Sequence, residues 1–277
     1  MIVNETRIRS LKCNVRDYES LTRTIASRKN RLQADGLDPA LDNILGRENK
    51  VPGLLTIKGR LERNIKAEIA DWPIWLEWGR AVPGLGTIGA GNLILGYYYK
   101  FDPVCQDCGG ELRLLKDTED DEKKTYLCAE CGKKSEGILK HNISIRDYPK
   151  ISGWWTMCGR GDPKYKKRKK GCSEDEARMA GAPRLKVIGY HIGESFIKKT
   201  NKYYDFYLEV KARYQRNNPD WKKGKCSNFA KNNMIKLFLS HWWMVAREIE
   251  ELPVTEPYSS TILGHTGVIK PFYWNGN

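Results

Sequence analysis

Two C-x2-C pairs constrain the fold of this chain more than any other feature of its sequence. The four residues are Cys105, Cys108, Cys128 and Cys131. Each pair can form a turn that directs both sulfur atoms to one metal ion, and the glycines that follow, Gly109 and Gly132, suit turns with positive φ. Because four thiolates complete a tetrahedron without water, the spacing predicts a structural Zn2+ site in a zinc ribbon whose folding depends on the metal.

The charge of the chain indicates a polyanionic partner. Lys and Arg number 48 against 34 Asp and Glu, so the net charge is +14. Such an excess is typical of nucleic-acid-binding proteins, although a solvated basic surface is the alternative. No apolar run approaches the roughly 18 residues that cross a bilayer, and the N-terminus lacks the apolar core of a signal peptide. We therefore expect a cytoplasmic protein with no membrane partner.

Apolar residues three or four positions apart predict helices over most of the chain outside the ribbon, and hence a mainly α fold. Residues 8–32 and 54–72 are predicted to form an antiparallel helical hairpin, with Gly36 ending the first helix and Pro73 bending or ending the second. Three more helices are predicted over residues 183–197, 203–214 and 229–249.

A glycine-rich turn precedes another predicted helix in residues 82–99. Its Gly84 and Gly86 resemble the hairpin of helix-hairpin-helix modules, in which backbone amides at a helix start bind a DNA phosphate. Unpaired N–H groups and the helix dipole favour an anion there, and glycine lets it approach closely. The alternative is a turn that only packs two helices together.

Basic residues concentrate in two further segments, where we expect contacts to phosphates. They lie in the run Lys164–Gly171 and in the segment Lys198–Lys225, where Tyr and Trp residues stand between the basic ones. The candidates are Lys164, Lys166, Lys167, Arg168, Lys169, Lys170, Lys198, Lys199, Lys202, Arg213, Lys222, Lys223 and Lys225. For Tyr203, Tyr207 and Tyr214 we expect a place in the core rather than stacking on bases.

Several segments, in this order, resemble the C-terminal domain of the IS-one-ten group of insertion-sequence transposases, the bridge-RNA-guided recombinases. These segments are Val82–Leu95, Ser152–Gly161 (SGWWTMCGRG), Pro183–Lys198 and Asn232–Arg247. The family carries an N-terminal RuvC-like nuclease domain, whereas residues 1–80 predict two helices and no strand. The resemblance also implies a serine nucleophile, which usually lies in a Ser-Gly dipeptide. Ser173 is followed by Glu174, so we assign no catalytic residue and keep Ser173 as a candidate only.

A transposase-like domain without its nuclease is similar to the Tas proteins, which are associated with tandem interspaced guide RNAs and built on a Nop domain. This resemblance implies a helical hairpin in residues 1–80, a Nop/transposase-like helical domain in 81–99 and 141–277, and an inserted zinc ribbon in 100–140. It also implies a homodimer that binds a structured guide RNA and finds target DNA by base pairing.

Three functions follow as expectations. The first is an RNA-guided DNA-binding protein that lacks its own nuclease domain, and it is a binding protein rather than an enzyme. The second is a divergent insertion-sequence transposase that catalyses DNA strand exchange through Ser173 or a separate subunit. The third is a DNA architectural protein that needs no guide. Bound RNA and cleavage activity distinguish them.

Overall fold

Helices account for most of the chain, and the mainly α fold class is confirmed. A computed structural model describes residues 4–46, 52–116, 125–136, 140–162, 164, 172–255 and 269–274. The helices are α1 (Glu5–Ala34), α2 (Leu54–Ile69), α3 (Pro73–Glu77), α4 (Thr87–Tyr98), α5 (Ile151–Met157), α6 (Glu174–Ala180), α7 (Pro183–Lys199), α8 (Lys202–Asn217) and α9 (Lys223–Ile249). Two compact units divide the chain, Met1–Ile94 with Tyr148–Asn277, and Leu95–Asp147. Within the described ranges, no helix is both long and apolar enough to span a membrane.

The predicted helical hairpin is formed by α1 and α2. Gly36, with a φ of +72°, follows the end of α1. Arg7 near the start of α1 pairs with Asp71 after α2, which shows that the two helices run antiparallel. Leu11 of α1 and Ile65 of α2 are fully buried on the facing sides. A Cβ at Gly91 of α4 would lie 3.3 Å from Ile65 and 3.4 Å from Leu11, so a small residue lets α4 pack closely on the hairpin.

Aromatic side chains fill the core around α9 in the helical unit. Phe196 stacks on Tyr203 with ring centroids 4.8 Å apart, and Phe238 of α9 meets both rings edge-on. Part of the C-terminal segment also packs here, since Trp78 Nε1 donates a hydrogen bond to the carbonyl of Phe272 at 2.8 Å. Tyr203 and Tyr207 are buried and Tyr214 is half-buried, in agreement with the expectation that these tyrosines belong to the core.

The second unit is built from strands. They are β1 (Tyr99–Val104), β2 (Leu112–Lys116), β3 (Thr125–Cys128), β4 (Lys134–Glu136) and β5 (Lys140–Ile145). An antiparallel ladder joins β1 to β5 from Tyr99 opposite Ile145 to Val104 opposite Lys140, and β2, β3 and β4 form a separate antiparallel sheet in that order. Leu112 and Tyr126 pack around the buried Cys105 and Cys128 at the base of this sheet.

Candidate metal centre and nucleic-acid interface

The four cysteines of the two C-x2-C pairs converge on one point. Their sulfur atoms all lie within 4.8 Å of one another. Across the two pairs, Cys105 and Cys131 have their sulfur atoms 3.7 Å apart, and those of Cys108 and Cys128 are 3.4 Å apart. A tetrahedral metal with bonds of about 2.3 Å to sulfur separates its ligands by about 3.8 Å, whereas a disulfide needs about 2.05 Å. The thiols are therefore arranged as a set that can hold one metal ion.

A backbone turn with a glycine after its second cysteine positions the sulfur atoms on each side of the cluster. Gly109 has a φ of +76° and Gly132 of +69°, so each turn closes with a residue in the left-handed region. The Gly110 N–H donates to Cys108 Sγ at 3.4 Å, and the Cys131 N–H donates to Cys128 Sγ at 3.5 Å. The predicted pair of cysteine turns is present, and together the two turns could hold a metal ion.

Neighbouring thiols also shift the pKa values of Cys108 and Cys128. The Cys131 N–H lowers the pKa of the Cys128 thiol to about 7. At Cys108 the Gly110 N–H lowers the pKa, but contacts to the sulfur atoms of Cys128 and Cys131 raise it to about 12. Four thiolates repel one another unless a cation neutralises them, and a bound metal reverses this penalty.

The glycine turn packs on the α7–α8 connection. Gly84 has a φ of +94°, and a Cβ there would lie 3.1 Å from Phe196 Cδ1, so the turn requires glycine for its own geometry. Gly86 is exposed and a Cβ there would meet nothing within 4 Å. Buried Asn201 caps α8 and donates through Nδ2 to the Pro83 carbonyl at 2.6 Å, which fixes the turn beside the start of α8.

Three of the predicted lysines share this place with the glycine turn. Lys198 and Lys199 are exposed in the last turn of α7, and Lys202 is exposed at the first residue of α8. The Lys202 ammonium donates to the carbonyl of Tyr273 at 3.2 Å, so the C-terminal segment passes close to it. We call this group the glycine corner, and it consists of Gly84, Gly86, Lys198, Lys199 and Lys202.

The other basic residues of this segment lie at the opposite end of α8. Tyr214 stacks on Trp221 with the rings at 13°, and Phe229 of α9 closes the cluster 5.0 Å from Trp221. Around it stand exposed basic residues, which with the rings form the aromatic corner. They are Arg213, Lys222, Lys223 and Lys225. With 16 residues, α8 separates the two corners by about 24 Å.

The aromatic corner carries positive charge that carboxylates do not neutralise. Among the described residues, no salt bridge joins its four cations to an Asp or Glu. The Lys225 ammonium lies 3.6 Å from the ring centroid of Trp221, so a cation already covers this ring. The corner therefore combines exposed ammonium and guanidinium groups with a base of packed aromatic rings, one of which Lys225 covers.

Ser173, the candidate nucleophile, caps a helix. It precedes α6, where its hydroxyl accepts a hydrogen bond from the Glu176 N–H at 3.2 Å and the Glu176 carboxylate accepts from the Ser173 N–H at 3.1 Å. This capping box gives the side chain a structural contact. Of the basic run, Lys164 is described and exposed, whereas Lys166, Lys167, Arg168, Lys169 and Lys170 lie outside the described residues.

Sequence reasoning missed one pair of basic side chains that the fold brings together. Arg160 follows α5 and Lys236 lies in α9, where burial and the nearby Arg160 both lower the pKa of Lys236. The two residues are far apart in the sequence, and neither belongs to a basic run. The Gly-Arg-Gly at residues 159–161 was the one local signal, since such glycines often serve a turn with a functional side chain.

Comparisons with protein-family models, with curated proteins and with solved structures each gave no match to this chain.

Proposed function

We propose that this protein binds nucleic acid through its helical unit, and that it is an RNA-guided DNA-binding protein that holds a structured guide RNA and a target DNA. The aromatic corner carries the proposal. Its four exposed cations lack carboxylate partners among the described residues, which leaves them available to phosphates. The net charge of +14 supports the same partner. Base pairing would supply sequence specificity, while the protein contributes phosphate contacts and shape.

The ribbon supports this function as a structural zinc module. Zn2+ is the metal that a cluster of four thiolates selects most often, and a closed tetrahedron leaves no position for a substrate. The Cys105, Cys108, Cys128 and Cys131 side chains would hold the ion. Its role is to fix the strands β2, β3 and β4, because the small core around Leu112 and Tyr126 is too small to do so alone.

Assembly as a homodimer through the hairpin completes the proposal. Large apolar side chains are exposed at the end of the hairpin, including Leu41 at 80% and Leu37 at 57%. Burial of such residues against a second copy would remove apolar surface from water. Light scattering should give a dimer that Leu41→Glu converts to a monomer, and a wild-type monomer at all concentrations would exclude this assembly.

Purification from the native host with sequencing of bound RNA tests the guide directly. The expected result is one discrete RNA species, and its absence after gentle purification would overturn the guided function. Binding of that RNA and of DNA is then measured over a salt series. Three phosphate contacts would make the fall of log affinity with log salt steeper by about 2 to 3 in slope.

A triple variant assigns the binding to the aromatic corner. Arg213→Gln, Lys222→Gln and Lys223→Gln together should weaken binding by about tenfold or more and lower the salt slope. The matched control removes three exposed cations from α2, by Arg60→Gln, Arg63→Gln and Lys66→Gln. Equal losses in both variants would mean that net charge alone drives binding and would refute the assignment.

A further inference from the structure

Two cations from distant parts of the chain meet between α5, α7 and α9. The Arg160 N–H donates to the Trp155 carbonyl at 2.7 Å, which fixes the turn after α5, and its guanidinium Nη1 donates to Asn232 Oδ1. The Lys236 ammonium lies 4.2 Å from the ring centroid of Trp155. Asn232 and Lys236 are four residues apart in α9 and so share one face of that helix. The chain thus collects a guanidinium, an ammonium and an amide in one place.

Gly189 of α7 lies beside the guanidinium. A Cβ added at Gly189 would lie 4.0 Å from Arg160 Nη2, and Gly189 itself is buried. The Trp155 indole donates from Nε1 to the Lys236 carbonyl at 3.3 Å, which holds the ring against α9. Arg160 and Lys236 are both half-buried, whereas Asn232 is exposed, so the group opens to solvent on the Asn232 side.

Neither cation is neutralised by the part of the chain that the structure describes. No salt bridge reaches Arg160 or Lys236 there, and Arg160 Nε is buried without a hydrogen-bond partner. The carboxylate of Glu194 on α7 is paired with Lys231, and Asp162 accepts a hydrogen bond from the Lys164 N–H at 2.8 Å. Burial and the nearby Arg160 lower the pKa of Lys236, and burial lowers that of Arg160.

Such a pair costs free energy in the empty protein. Half-buried charges lose part of their hydration, and two like charges repel, so folded proteins normally pair them with an opposite charge. An oxyanion that bridges both groups would supply that charge. A guanidinium forms two parallel hydrogen bonds to phosphate oxygens, and a lysine ammonium adds a point charge.

We propose that Arg160, Lys236 and Asn232 form a phosphate-binding site, and that its ligand is a backbone phosphate of the bound nucleic acid. The identity of the ligand rests on the proposed function, whereas the phosphate site itself does not. Its residues are separate in sequence from both the glycine corner and the aromatic corner. Arg160 lies in the turn after α5, and Asn232 and Lys236 lie beyond the first turns of α9. It adds a partly enclosed contact to their exposed ones.

Thermal unfolding of the full chain with inorganic phosphate tests the site without nucleic acid. At matched ionic strength, phosphate should raise the Tm of the wild type above its value in chloride, and Lys236→Met and Arg160→Gln should each abolish this shift. Without phosphate, Lys236→Met should keep or raise the Tm, because it removes a repelling charge and keeps an apolar stem on Trp155. Lys66→Met removes an exposed lysine from α2 and should leave the phosphate shift intact.

A phosphate shift that persists in Lys236→Met would overturn the site, and so would a large fall in Tm without phosphate, because that result assigns the pair a structural role. If Arg160→Gln does not fold, Lys236→Met decides alone.

With nucleic acid, Lys236→Met should make the salt dependence of binding shallower by about one in slope. An unchanged slope beside a lost phosphate shift would assign the site to a free phosphate compound instead. Failure of the wild type to bind any nucleic acid would refute the proposed function, and the phosphate arm would still decide the site.

Discussion

At the scale of single residues, two glycines of one turn have separable roles. Gly84 requires its positive φ and its close contact with Phe196, whereas Gly86 faces open space. Gly84→Ala should therefore lower the free energy of unfolding by about 1–2 kcal/mol or more, because alanine is strained at positive φ. Gly86→Ala should change stability little. Urea denaturation measures both.

The same pair tests whether the glycine corner binds phosphate. If a phosphate approaches the amides at the start of α4, the methyl group of Gly86→Ala will weaken nucleic-acid binding in a protein of normal stability. Unchanged binding by this variant would assign the turn to helix packing alone.

A buried histidine makes stability depend on pH. His241 lies between the Tyr203 hydroxyl at 2.9 Å and the Ile269 carbonyl at 3.0 Å, and burial lowers its pKa to about 4. Because the unfolded chain takes up a proton near pH 6.5 and the folded chain does not, stability is complete above that pH and is lost as the pH falls toward 4.

Comparison with a variant isolates this effect. The stability difference between wild type and His241→Gln should shift by about 3 kcal/mol, to the disadvantage of the wild type, between pH 7 and pH 4. Denaturation at several pH values measures the difference, and a constant difference would show that the pKa of His241 is the same in the folded and the unfolded protein.

At the scale of elements, α6 depends on its capping box. Ser173→Ala removes the hydroxyl that accepts the Glu176 N–H and should lower the free energy of unfolding by about 1 kcal/mol. Ser173→Asp keeps an acceptor at this position and should restore most of the loss. Neither change should affect nucleic-acid binding, and a Ser173→Ala variant that stays folded but loses DNA cleavage or covalent attachment would support the recombinase.

Periodicity in the sequence was sufficient for the long helices, because a wide apolar face repeats over many turns in α1, α2 and α7. It missed α6, which spans the seven residues Glu174–Ala180 and shows itself mainly through its cap. The predicted start of α9 at residue 229 was late, because the polar first turns from Lys223 carry few apolar residues.

The candidate site was predictable only where it is local in sequence. The cysteine cluster followed from spacing, since each metal-binding turn is a few residues long. The two corners required knowledge of how α7, α8 and α9 pack, because basic residues that look like one segment are separated by the length of α8. Arg160 and Lys236 meet only through tertiary structure, and sequence periodicity carries no information on such pairs.

At the scale of the whole molecule, the two compact units predict separate responses to metal removal. The units have separate cores, so a strong chelator should unfold β2, β3 and β4 while the helical unit keeps its thermal transition. Hydrogen exchange followed by mass spectrometry should show faster exchange in residues 105–136 only. Simultaneous loss of the helical signal in circular dichroism would contradict this independence.

Metal content provides the matched control. One Zn2+ per chain is expected, Cys108→Ser should release it, and Cys13→Ser, which changes an exposed cysteine outside the ribbon, should retain it. Retention of one equivalent by Cys108→Ser would mean that the ion is bound elsewhere.

The ladder between β1 and β5 has a consequence for the entropy of the chain. Tyr99 pairs with Ile145, and the Arg146 N–H donates to the Tyr98 carbonyl at 2.8 Å, so the long excursion through the ribbon begins and ends at adjacent points. Bringing together the ends of an open loop of this length would cost about 3 kcal/mol of conformational entropy. The pairing of β1 with β5 offsets this cost within the insert itself. The entropy cost of the insertion is therefore that of a short hairpin. We expect that a two-residue turn joining β1 directly to β5 can replace the residues between these strands.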